Sequence, residues 1–157
     1  MDHVFWLFDG LLAGRPGPAQ APWNPEELRA GGLQVVVSLN TEPDPLEIEA
    51  AGLRHHSLPM PPILPLSAPL QDMMLRGMEP GLVAVHAEVS AGRSTLVHCH
   101  GGRDRTGLLL TAYLVRHQGL GIEHALERVR AVRPIAMSAP GYVNTARRFA
   151  EKEAQGS

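Results

Sequence analysis

Short apolar runs alternate along this chain with segments whose apolar residues recur at helical spacing. Val35-Val36-Val37-Ser38-Leu39 is nearly unbroken in its aliphatic character, which predicts a buried strand over 34–39. Further strands are expected over 3–8, 53–58 and 94–98. Asn24-Pro25-Glu26-Glu27 has the form of a helix start, with an N-cap asparagine, proline at the first helical position and acids in the first turn; Gly31-Gly32 ends that helix. A short helix is expected over 45–51. Helical pattern fills 70–91 with interruptions near Gly77 and Pro80-Gly81, and helices follow over 105–118, 121–132 and 139–153. A Pro/Gly loop over 14–25 and a rigid proline-rich loop over 59–69 separate these elements. Strands alternating with helices indicate an α/β sheet with its ligand site at the C-terminal end of a strand. With 157 residues, no internal repeat and no long linker, residues 1–157 are expected to form a single domain with its own core.

One of the predicted strand-to-helix turns carries chemistry. Leu96-Val97-His98-Cys99-His100-Gly101-Gly102-Arg103-Asp104-Arg105-Thr106-Gly107 reads H-C-x5-R-T-G. The turn lies at a helix N-terminus, where unpaired N–H groups and the positive end of the helix dipole favour anions. Gly101 and Gly102 allow positive φ, so successive N–H groups can point inward as a nest for phosphate oxygens. Such a ring lowers the pKa of a cysteine at its centre, and the thiolate is the nucleophile. Arg105 would close the ring with a planar fork that holds two phosphate oxygens. The Thr106 hydroxyl is expected to donate to the Cys99 sulfur, and His98 to hold the loop in shape. No G-x4-G-K-[ST] occurs, so a nucleotide P-loop is not indicated.

Composition narrows the picture. The hydrophobic share is 44% and the charged share 19%, ordinary for a soluble globular protein. No apolar run reaches transmembrane length, and the N-terminus lacks a signal-peptide layout. Cys99 is the only cysteine, which excludes an internal disulfide and fits a reducing cytoplasm. A net charge of −2 gives no bulk support for nucleic-acid binding. Arg128, Arg130, Arg133, Arg147 and Arg148 gather near the C-terminal helices, where a solvated helix surface is the expected reading. The eight histidines show no ligand spacing, and the adjacent His55 and His56 would point to opposite faces of a strand, so no metal is expected.

The segment 96–107 resembles the signature loop of the cysteine-dependent protein tyrosine and dual-specificity phosphatases. Phe5-Trp6-Leu7 with Leu11-Leu12-Ala13-Gly14-Arg15-Pro16 is similar to the opening strand and "LAG-P" turn of small atypical dual-specificity phosphatases. Val35–Leu39 is similar to their next strand, and Ala125–Arg130 with Arg133-Pro134 to the helix after the signature helix. The resemblance implies a central, mostly parallel twisted sheet flanked by helices, as in protein tyrosine phosphatases. It also implies a mobile-loop aspartate some thirty residues before the cysteine, but Met60 stands there, and no carboxylate lies between Gly52 and Gln71. Asp104 offers a replacement. C-x-x-G-x-D-R-T resembles the loops of myotubularin-type and bacterial lipid and tyrosine phosphatases, in which an aspartate at this position is thought to be the general acid. Asp72, at the start of a predicted helix, is the alternative acid.

The expected activity is phosphomonoester hydrolysis through a cysteinyl-phosphate, without metal or other cofactor. Cys99, Arg105, Asp104 and Thr106 would be catalytic, and His100, Gly101, Gly102, Arg103 and Arg105 would contact phosphate or substrate. Expected substrates are phosphotyrosine, phosphoserine or phosphothreonine in proteins, or phosphoinositides, toward which Arg103 would add a second positive group. A monomer without nucleic-acid partner or stable membrane insertion is expected. The competing reading is a catalytically weak phosphate-recognition module that binds phosphorylated partners. Sulfur transfer and arsenate reduction also use a cysteine in an anion loop, but the first fits His98 and Thr106 poorly and the second usually needs resolving cysteines, which are absent.

Overall fold

A computed structural model describes residues 1–156. In chain order the elements are β1 (Phe5–Phe8), β2 (Leu12–Arg15), α1 (Pro25–Ala30), β3 (Val35–Ser38), α2 (Pro45–Ala50), β4 (Arg54–Ser57), α3 (Ala68–Ser90), β5 (Thr95–His98), α4 (Arg105–Gln118), α5 (Ile122–Val132) and α6 (Tyr142–Gly156). The strands form one five-stranded sheet in the order β1-β2-β5-β3-β4. Only β1 and β2 pair antiparallel; the other neighbours are parallel.

The unbroken aliphatic runs follow from covering both faces of the sheet. Successive β3 side chains alternate: Val35 and Val37 pack with α3 and α4 residues such as Met78 and Leu109, whereas Val36 packs with Leu28 of α1 and Ile48 of α2. Central β5 sits between β2 and β3, with Arg15 and Ser38 both in register with His98. The residue after His98 is therefore delivered to the C-terminal edge of the parallel strands, where α/β folds place ligands.

Two sequence expectations need correction. Residues 14 and 15, expected to open a loop, belong to strand β2. A Cβ on Gly14 would lie 2.4 Å from the Phe5 ring and 3.1 Å from Thr106 Cγ2, so glycine here permits strand packing instead of breaking it. The expected interruptions within 70–91 are absent: α3 is one helix of 23 residues with Pro80 inside it. Gly77 and Gly81 are packing positions, since added Cβ atoms would meet Pro61 at 2.6 Å and Leu109 at 3.0 Å. Tertiary burial of Met74, Met78, Leu82 and Val85 outweighs the local cost of one proline.

Candidate active site

The turn between β5 and α4 wraps around Cys99, which is 2% exposed at the floor of a pocket of about 380 Å³. Two glycines permit its tight fit. Gly102 has φ 59°, and a Cβ there would lie 2.5 Å from the Arg15 carbonyl carbon. Gly17 passes so close that its Cβ would meet the Cys99 carbonyl oxygen at 2.4 Å, while its N–H donates to the His100 carbonyl at 2.9 Å. Cys99, His100, Gly101, Arg103, Asp104 and Arg105 line the pocket.

Three arginines line this pocket, and two are committed elsewhere. Arg103 donates from Nε and Nη2 to Asp104 Oδ2 at 3.0 and 2.9 Å. Arg133 donates to the carbonyls of Gly101 (2.8 Å) and Gly102 (3.3 Å), which holds the loop from its outer side. Arg105 pairs with no carboxylate among the described residues, and its guanidinium is the cation left for an incoming anion. The expectation that Arg133 is merely solvated surface is thus corrected.

Asp104 occupies the N-cap of α4 without capping it by its side chain. Its Oδ1 instead accepts from the Ala139 N–H at 3.2 Å. Asp72 has another environment: its Oδ1 receives Lys152 Nζ at 2.7 Å and Arg148 Nη2 at 2.8 Å, which ties α3 to α6. Those two hydrogen bonds hold its carboxyl down at about 2, and it does not line the pocket. A carboxyl tied to two cations outside the pocket is poorly placed to reach a leaving oxygen there, which argues against the alternative acid. Met60, at the position of the family's usual acid, is 3% exposed within the core.

The loop between β4 and α3, which ends at Ser67 and not at residue 69 as expected, forms one wall through Pro62, Ile63 and Leu64. The Tyr142 hydroxyl, its pKa pushed up to about 12 by burial, donates to the Ile63 carbonyl at 3.3 Å and fixes that wall. The His100 side chain is 60% exposed, with Nδ1 2.8 Å from Glu42 Oε2. Thr106 also departs from expectation. Its Oγ1 is buried and has no hydrogen-bond partner among the described residues, the Cys99 sulfur included. Gln20, which also lines the pocket, and Glu42, Arg133 and Tyr142 were not identified as site residues from sequence; only the Arg133-Pro134 step after a helix hinted at one of them.

His98 is fully buried beneath the loop. Its Nδ1 lies 3.1 Å from the Cys99 carbonyl and its Nε2 2.6 Å from Ser38 Oγ. Burial lowers its pKa from 6.5 to about 4. Between those values the unfolded chain binds a proton that the folded chain refuses, so stability falls as pH falls. The contribution is complete above pH 6.5 and lost below about 4, and amounts to about 3 kcal/mol. Urea unfolding followed from pH 7 to 4 should therefore show a slope shallower by about one proton in His98→Gln than in wild type. Parallel slopes would refute the assignment.

Residues 13–119, from β2 through α4, match the family described as "Polymorphic toxin system, DSP-PTPase phosphatase". The chain belongs to this dual-specificity phosphatase family. Dual specificity phosphatase 28 of Homo sapiens is 32% identical over 136 residues, spanning 86% of this chain and 72% of that one. The phosphatidylglycerophosphate phosphatase PTPMT1 of Arabidopsis thaliana is 28% identical over 129 residues, covering 79% of this chain and 35% of that one. The crystal structure of human DUSP28 is similar at TM-score 0.76 and 26% identity, covering 100% of this chain and 97% of that chain.

Proposed function

We propose that this chain hydrolyses phosphomonoesters with Cys99 as nucleophile. The observation that carries the reading is a buried thiol under a glycine-rich turn at a helix N-terminus, in one pocket with an arginine that has no carboxylate partner among the described residues. In the first step the Cys99 thiolate attacks phosphorus, the S–P bond forms as the P–O bond breaks, and Asp104 gives its proton to the departing oxygen. In the second step water attacks the phosphocysteine, Asp104 takes the proton, and phosphate leaves with regeneration of the thiolate. Arg105 and the loop N–H groups stabilise the equatorial oxygens in both steps. For Asp104 to donate, Arg103 must release Oδ2; the pair is partly exposed, so that release is inexpensive.

Phosphorylated protein is the preferred substrate class, supported by the relatives named as dual-specificity phosphatases and by the apolar collar of Pro62, Ile63, Leu64 and Ile135, which suits an aryl ring. A lipid phosphomonoester is the second reading, the class to which phosphoinositides belong; it is favoured by the Arabidopsis relative, which is named as a phosphatidylglycerophosphate phosphatase. The commitment of Arg103 to Asp104 weakens the argument that it would bind a second phosphate.

The test is turnover of an aryl phosphate in the presence of EDTA, with acid-quenched samples examined by intact mass. A species heavier by one phosphoryl group, located on the Cys99 peptide, is expected. Absence of turnover by folded protein would leave the phosphate-recognition module as the better account. Asp104→Asn should lower kcat on phenyl phosphate about 100-fold, and much less on an activated aryl ester that needs no protonation. Asp72→Asn should stay within about twofold on both. Equal rates for Asp104→Asn and wild type on phenyl phosphate would remove Asp104 from the mechanism.

A further inference from the structure

The contact of His98 with Ser38 does not end at Ser38. The Ser38 hydroxyl also lies 2.8 Å from Nε2 of His55 on β4. Val36 is in register with His55 and Ser38 with His98, so all these side chains share the sheet face covered by α1 and α2. Trp23 closes that face, its ring edge-on to His98 at 4.8 Å. His56, one residue along, points to the opposite face and approaches Glu88 at 3.7 Å.

The chemistry of these atoms fixes the direction of every bond. A backbone carbonyl only accepts, so His98 Nδ1 carries a hydrogen and donates to Cys99. His98 is neutral near neutral pH because burial disfavours its cation, so its Nε2 is bare and accepts from the Ser38 hydroxyl. Ser38 has one hydrogen, now committed to His98. Its remaining contact must be acceptance, so His55 donates through Nε2–H.

We propose that Ser38 and His55 are positioning residues of the signature loop: a one-way chain from His55 Nε2–H through the Ser38 hydroxyl fixes His98 in the tautomer whose Nδ1–H holds the Cys99 carbonyl. The opposite tautomer would place a nitrogen lone pair against the carbonyl lone pairs and loosen the loop at the nucleophile. The effect of a wrong tautomer on an otherwise intact site is large in enzymes whose histidine is oriented by a neighbour. The charged groups around the chain do not reverse it. Glu49 acts on His55 and Glu42 on His98 in favour of their cations, and His56 and Arg15 act against them. Protonated His55 remains a donor.

The inference rests on Cys99 as nucleophile for its catalytic consequence, but not for the tautomer itself. Nitrogen-15 NMR of histidine-labelled protein reads the tautomer directly. In wild type, His98 Nδ1 and His55 Nε2 should show pyrrole-type shifts and His98 Nε2 a pyridine-type shift. Ser38→Ala should lose the single His98 tautomer, move the His100 and Gly101 amides, and lower kcat about tenfold. Ser38→Thr, which keeps the hydroxyl, should restore all three. His55→Gln, which can still donate, should stay close to wild type, whereas His55→Leu should fall about threefold in kcat. Wild-type His98 protonated on Nε2 would overturn the proposal, as would Ser38→Ala with unchanged tautomer and amides. If wild type proves inactive on every phosphoester while the tautomers and amide shifts behave as described, the chain of donors stands and the catalytic reading falls.

Discussion

Cys99→Ser should abolish turnover, with kcat lower by about 10⁴-fold or more, while the folded chain still binds phosphate analogues. The exchange of sulfur for oxygen at a side chain 2% exposed changes volume little and leaves the loop carbonyls and N–H groups in place. Reactivity changes far more. A serine hydroxyl at the same point is almost wholly protonated near neutral pH, and the His98 imidazole faces the other side of the sheet, bound to Ser38. The decisive pair of measurements is steady-state turnover of an aryl phosphate and titration of the variant with vanadate. Binding retained and turnover lost would assign the chemistry to the thiol. Residual turnover above about a tenth of wild type would mean that another nucleophile operates.

What could be read in advance follows from how local each feature is. The segment from His98 to Gly107 was legible because its parts are contiguous: strand end, nucleophile, glycines, arginine and helix start occupy ten consecutive residues. Strand β3 was legible because both its faces are buried, which leaves the aliphatic run Val35–Val37, whereas β2, with Gly14 and Arg15 in it, carries no such run and was not anticipated as a strand of its own. Features that depend on distant partners were not. Gly14, Gly77 and Gly81 look like breakers in a one-dimensional reading and are packing positions in the fold, since what touches them comes from Phe5, Pro61 and Leu109. Asp72 was the alternative because the stretch where the family's usual acid would lie has no carboxylate; Arg148 and Lys152, which bind it, lie on α6 and are invisible from its own segment. Arg133 reaches the loop carbonyls across thirty residues, and Tyr142 fixes a loop that begins some eighty residues before it, so neither leaves a local signal. Thr106 shows the limit from the other side. Its motif position suggested a bond to sulfur, yet its hydroxyl is buried without a partner among the described residues, while its methyl group is the part that approaches Gly14.

Arg105→Lys should lower kcat about 100- to 1,000-fold although it preserves the charge. The three pocket arginines separate this prediction from a general loss of positive potential. Arg103 is bound bidentate to Asp104, and Arg133 is bound to the Gly101 and Gly102 carbonyls, so neither presents a free fork to the phosphate. Arg105, at the first position of α4, has no carboxylate partner among the described residues. A planar guanidinium can hold two equatorial oxygens at once and follow them as the phosphorus passes from ester to phosphocysteine; an ammonium offers a point charge on a shorter reach. Arg103→Lys should stay within about tenfold, since its fork serves the proton donor and not the phosphoryl group. Arg133→Lys should act chiefly on stability, through the two loop carbonyls it leaves without a donor. Kinetics of the three variants with the same aryl phosphate, beside their urea midpoints, would separate these roles. Equal losses in kcat for Arg103→Lys and Arg105→Lys, at unchanged stability, would show that the pocket works by bulk positive charge, and the specific role given to the Arg105 fork would be wrong.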